Sequence, residues 1–275
     1  MTRKLFCEIS PFCYELSVHK ESIKRDLRDL LSSEHFAFEY QSEPLPNIVK
    51  SHVSIMLRQL HGVDPQLQIN KITNIKLATD KLNGIMIYPQ ETFSFHRLVK
   101  KTSAANGYLS GLVVKGDVLT EGVGGGLCQL ANLIHYLVLN SPLIVTELHH
   151  HHEVLFPDER RSVPFGTGVS IAYKRLDYRF CNPTDQTVQL LVWTEGNDLC
   201  GELRSEAPYP YRYHLVTEND HYCKEDNEYY RLSQVYRMVI DRENNAVIDK
   251  QLLLNNHCRV AYDHQLIPKE QIHND

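Results

Sequence analysis

The 275-residue chain has no Cys-X-X-Cys pair, no run of 18 apolar residues and no excess of basic charge. Each absence excludes something. Seven cysteines, an odd number without paired spacing, do not make a disulfide framework and predict reduced thiols. A bilayer needs roughly 20 consecutive apolar residues, so no membrane span is expected. The nearest candidate, 127–145, is interrupted by Gln129, Asn132, His135, Asn140 and Pro142. It reads as a buried helix followed by a strand. The first residues lack an apolar core because Glu8, Ser10 and Glu15 interrupt it, which predicts no signal peptide and a cytoplasmic location. Lys and Arg number 29 against 34 Asp and Glu, a net charge of −5, so no basic face for nucleic acid is expected.

What remains is globular. Hydrophobic residues are 42 % and charged residues 23 %, which suits one large domain or two small ones with ample core. An amphipathic stretch covers 21–31, and the Pro-punctuated segment 42–46 reads as a linker. Ile48, Ile55 and Leu60 suggest a helix over 47–60 that stops at Gly62. Ile72, Ile75, Ala78 and Leu82 predict a second helix over 70–82, ended by Asn83 and Gly84. A short strand follows at 85–88, and 113–119 reads as a hairpin. From Val169 onward the chain is strand-like. The strands 178–181 and 188–193 suggest a hairpin about Asn182–Asp185, and a second pair flanks 242–245. The pattern predicts an α+β fold, with an antiparallel sheet around a buried central helix that begins at a Gly-rich loop. The expected division is an N-terminal helical segment (1–65), a central domain (66–195) and a β-rich C-terminal extension (196–275).

The chemistry concentrates at 124–139 and 147–153. Gly124, Gly125 and Gly126 lead into an apolar helix whose second residue is Cys128. The first amides of a helix have no internal partner and can face a thiolate or an oxyanion. That alone is too weak. A helix N-terminus contributes roughly 0.3–1 kcal/mol, less than the ~1.36 kcal/mol of one pKa unit. A useful nucleophile needs a base, and four consecutive histidines, His149 to His152, follow about twenty residues on. On a strand, His149 and His151 would share one face and His150 and His152 the other. The plainer alternatives are a buried structural thiol, a glycine loop that is only tight, and His135 as a core residue. A third reading joins Cys128, His149 and His151 as metal ligands.

At these residues the sequence resembles the VanW family. Ile75–Ala78, Leu82–Gly84, Pro89–Phe95, Gly107–Tyr108 and Gly124–Gln129 match its blocks. Glu147, His149 and His151 match its ER-HxH element, and Asp177, Asn182, Thr184 and Asp185 its closing strand and turn. The resemblance runs from about Asn70 to Trp193. It implies peptidoglycan metabolism and glycopeptide resistance, with a peptidoglycan stem peptide or precursor as partner and no cofactor. Some members are regarded as L,D-transpeptidases. Carried over, Cys128 is the nucleophile, His151 or His149 the base, and Gly124, Gly125, Gly126 and Gln129 lie against the substrate. Gly126 and the amides after it would hold the oxyanion. Two departures weigh toward an accessory, non-catalytic protein: the lack of an export signal, and Gly168 where the family usually has Asp. Asp177 and Glu153 are the acids the sequence offers in its place.

Overall fold

A computed structural model describes residues 6, 9–57, 64–115, 118–150, 153–154 and 163–273. In chain order, helix α1 (Pro11–Leu31) is followed by β1 (His35–Phe36), β2 (Asn47–Ile55) and helix α2 (Pro65–Leu82). Then come β3 (Ile85–Ile87), β4 (Glu91–Ser94), the short helix α3 (Phe95–Val99), β5 (Ser110–Lys115) and β6 (Val118–Val123). Helix α4 (Leu127–Leu139) leads to β7 (Ile144–Glu147), β8 (Glu153–Val154), β9 (Arg179–Cys181), β10 (Val188–Glu195) and β11 (Asp198–Ser205). Three long strands, β12 (Tyr211–Glu225), β13 (Glu228–Asp241) and β14 (Val247–Val260), and a short β15 (Ile272–His273) complete the chain. The fold is α+β with several antiparallel sheets.

Helix α2 starts five residues before the periodicity suggests. Asp64 accepts a hydrogen bond from Gln66 N at 2.8 Å and Pro65 occupies the first turn, a strong start signal upstream of the apolar pattern. The expected helix over 47–60 is instead strand β2, paired antiparallel with β11. Ile48, Val49, Val53 and Ile55 are β-branched, and a neighbouring strand edge satisfies their backbone better than an isolated helix could. Leu60 and Gly62 lie outside the described residues.

One sheet has the order β2-β11-β10-β3 and another the order β1-β4-β9-β7. The strands on either side of Asn182 therefore do not form the expected hairpin. β9 stays in the second sheet while β10 passes to the first. Asn182 is fully buried and makes this corner. Its side-chain amide donates to Ile87 O and Gln186 O, both at 2.9 Å, replacing backbone bonds that the change of sheet leaves open. The strands about 113–119 and 242–245 do pair as expected, as β5–β6 and β13–β14.

Helix α4 sits in the largest core cluster, with Leu130, Ala131, Ile134, Leu137 and Val138 removed from solvent. It packs on β2, β11 and α2. Strands β12, β13 and β14 form a separate meander with its own small cluster around Phe165, Tyr222 and Val260.

Candidate functional site

The glycine loop is fixed by its neighbours. Gly124 N donates to Leu109 O at 2.9 Å and Gly126 N to Leu112 O at 3.1 Å. Asn74, buried in α2, donates to Gly125 O and Leu109 O and accepts from Leu109 N. A Cβ on Gly125 would lie 2.2 Å from the Gly111 backbone, so only glycine permits that approach. Gly126 caps α4 at φ +94 without a side-chain bond, and a Cβ there would meet the Lys71 side chain at 2.1 Å. The Gly126 amide, expected at an oxyanion, is thus engaged by β5. Among the described residues, Leu127 N–H and Cys128 N–H have no main-chain acceptor. Gln129 is also held, its amide donating to Ser54 Oγ and Ile55 O at 2.8 Å each.

Cys128, Asn132 and His135 are spaced four and three residues apart and line one face of α4. The segment 168–171 crosses that face. Val169 N donates to Asn132 Oδ1 at 2.6 Å, which lays this segment along the helix face that carries Cys128. Burial raises the thiol above its ordinary value, against the opposing pull of the Ile171 amide and its own. His135 is fully buried with Nδ1 3.0 Å from the Tyr178 hydroxyl, while Nε2 has no hydrogen-bond partner among the described residues. Desolvation first, and nearby His150 second, push its pKa down to about 3.

The histidine run begins where β7 ends, so residues 148–150 are not strand and the shared-face expectation has no strand to rest on there. His149 Nε2 lies 2.9 Å from Glu147 Oε1, and His150 Nδ1 lies 2.9 Å from Gly168 O. His151 and His152 lie outside the described residues. Ser170 N donates to His149 O at 2.7 Å. The run is therefore strapped to the segment that covers Cys128. Among the described residues, no histidine forms a hydrogen bond with the Cys128 sulfur, and no group of three His, Cys, Asp or Glu side chains is placed to hold a metal.

The acid that meets His149 is Glu147. Glu153 pairs with Arg259. Asp177 is fully buried and accepts from His96 N and Tyr178 N, from Ser94 Oγ at 2.5 Å and from Arg179 Nε at 2.9 Å. Burial by itself would raise its carboxyl, but His96, Ser94 and Arg179 outweigh that and hold it below the usual carboxylate range. Glu147 Oε1 also accepts from Asp177 N at 3.0 Å, and its other oxygen pairs with Arg25 of α1. Arg179 reaches on to Asp29 at 2.7 Å and Glu34 at 3.1 Å. Nothing in the sequence signals Arg25, 122 residues before Glu147. Arg179, two positions after Asp177 on the same side of an extended segment, could have been found by that alternation.

Residues 70–204 match the family described as VanW like protein. Over 201 residues, 73 % of each chain, the protein is 32 % identical to the vancomycin B-type resistance protein VanW of Enterococcus faecalis. The chain belongs to the VanW family. It is also 32 % identical over 130 residues to the uncharacterized protein YoaR of Bacillus subtilis, covering 46 % of this chain and 40 % of that one. No solved structure matches. The family-model match, residues 70–204, encloses the glycine loop, Cys128, the histidine run, Asp177 and Asn182. It leaves out Arg25 and strand β2, which complete the ion cluster and the sheet beside α4.

Proposed function

We propose that this VanW protein acts in glycopeptide resistance by acyl transfer on peptidoglycan stem peptides or their precursors, with Cys128 as nucleophile. One observation carries the reading: the segment that Val169 fastens to Asn132, on the face of α4 that carries Cys128, is also bonded through Ser170 to His149. The resting sulfur is a protonated thiol. His149, oriented by Glu147, or His151 takes its proton as the donor peptide enters. The sulfur then bonds to the donor carbonyl carbon, and the amides of Leu127 and Cys128 face the developing oxyanion. The peptide C–N bond breaks, the histidine returns the proton to the leaving amine, and a thioester remains. An amine of a second stem, or water, attacks the thioester and releases the thiol. Purified protein incubated with muropeptides and followed by mass spectrometry tests this. New cross-linked or shortened products that vanish in Cys128→Ala support it; unchanged muropeptides sink it.

The raised thiol, with no described histidine bonded to it, favours a second reading as a non-catalytic accessory protein of a resistance cluster. That reading expects Cys128→Ala to retain full function in cells, whereas the enzyme reading expects loss.

A further inference from the structure

Helix α1 is mounted with its polarity reversed. Arg25 and Asp29 face the body of the protein, where their side chains are only 12 % and 8 % exposed, and pair with Glu147 and Arg179. Phe12, Leu16, Ile23, Leu27 and Leu30 recur three, four or seven residues apart along one stripe and face solvent, with Phe12 and Leu30 75 % and 79 % exposed. A helix that only packs on a globular body does the opposite. Beside the stripe, Lys24, Arg28, Lys174 and Arg175 line a cleft together with the inward-facing Arg25; Glu21 pairs with Lys24 and Asp26 with Lys174, so cations still outnumber carboxylates there.

We infer that α1 is a membrane-surface helix that lies on a bilayer rich in anionic lipid. The apolar stripe enters the boundary between headgroups and acyl chains, and the adjoining cleft places Lys24 and Arg28 at the lipid phosphates. Charge decides the occupant. The rim of the stripe is cationic although the chain as a whole carries −5, so the attraction is local and specific to an anionic surface. A second copy docked on the same stripe would set one cationic rim against another. The long stems of Lys24 and Arg28 can follow the apolar surface while their charges reach the headgroups. This inference rests on α1 and the cleft, not on the chemistry of Cys128.

Flotation of the purified full chain with phosphatidylglycerol vesicles, and separately with phosphatidylcholine vesicles, tests it. Expected is binding to the first, little to the second, and release near 1 M salt, where the Debye length is about 3 Å. Lys24→Glu with Arg28→Glu should weaken binding at least about tenfold. Leu27→Glu with Leu30→Glu should abolish it, with melting curves checking that each variant remains folded. Absence of binding to phosphatidylglycerol overturns the inference, as does binding that neither pair of substitutions alters. A dimer in solution that the leucine substitutions dissociate, without vesicle binding by the wild type, assigns the stripe to a second copy and also overturns it.

Discussion

His149 Nε2 lies 2.9 Å from Glu147 Oε1. A carboxylate oxygen accepts, so Nε2 donates in this pair and Nδ1 is the ring nitrogen not engaged by Glu147. Glu147 is in turn held by Arg25 at its other oxygen, Oε2, and Arg179 Nε lies 3.4 Å from that Oε2. The histidine is thereby tied to α1 through one acid. Glu147→Gln removes the charge that faces both arginines. Expected is a loss of about 3 kcal/mol in urea unfolding at neutral pH, the scale for stranding one partner of a buried pair. Loss within error of zero would show that Arg25 and Arg179 find other partners.

Asp177 carries the pH dependence of the same cluster. Its folded carboxyl sits below the ordinary value of about 3.9. A lowered acid stabilises fully above its unfolded pKa, and that contribution is lost as pH falls through the lower folded value. Asp177→Asn should therefore be less stable at pH 7 and show a shallower further loss below about pH 4. Urea midpoints measured from pH 7 to pH 3 check both parts.

His135 acts in the same direction over a higher pH range. Its pKa of about 3 in the fold lies below the ordinary value of about 6.5, so the unfolded chain binds the extra proton between those limits. Stability must then fall with acidification across that window, by at most ~1.4 kcal/mol for each pH unit. His135→Gln removes that share. The difference in unfolding free energy between pH 7 and pH 5 should shrink by about 2 kcal/mol relative to the wild type.

Two glycines in the family region should respond oppositely to alanine. At Gly125 the added carbon meets the Gly111 backbone, which cannot rotate away, and a loss of roughly 1–3 kcal/mol is expected. At Gly168 the added carbon meets nothing within 4 Å, and the change should stay within about 0.5 kcal/mol. Thermal melts of the two variants make the comparison.

Cys128 alkylation by iodoacetamide, followed by peptide mass spectrometry against pH, should show a midpoint above the ordinary thiol value of about 8.5. A midpoint below 7 would mean that a positive group faces the sulfur in solution.

Local patterns were sufficient where a feature depends on neighbours along the chain. The run of apolar residues at 127–139 specifies a buried helix, and valines about a polar turn specify β5–β6, because periodicity and turn chemistry act over a few residues. The family motifs were equally legible, since they are contiguous. The failures share one cause, which is a partner distant in sequence. Strand β2 forms because β11 offers an edge some 150 residues later, overriding a spacing that suits a helix. Asn182 turns a corner between sheets because Ile87 O lies within its reach. The acid at His149 is decided by Arg25 and Arg179, whose charges hold Glu147 in place, and Asp177 is committed to neighbours from α3 and β4. The sequence by itself determined the α+β class and the family. Only the tertiary structure decided which strands pair, which acid meets which histidine, and that α1 turns its charges inward, because burial and charge pairing are properties of residues brought together from far apart.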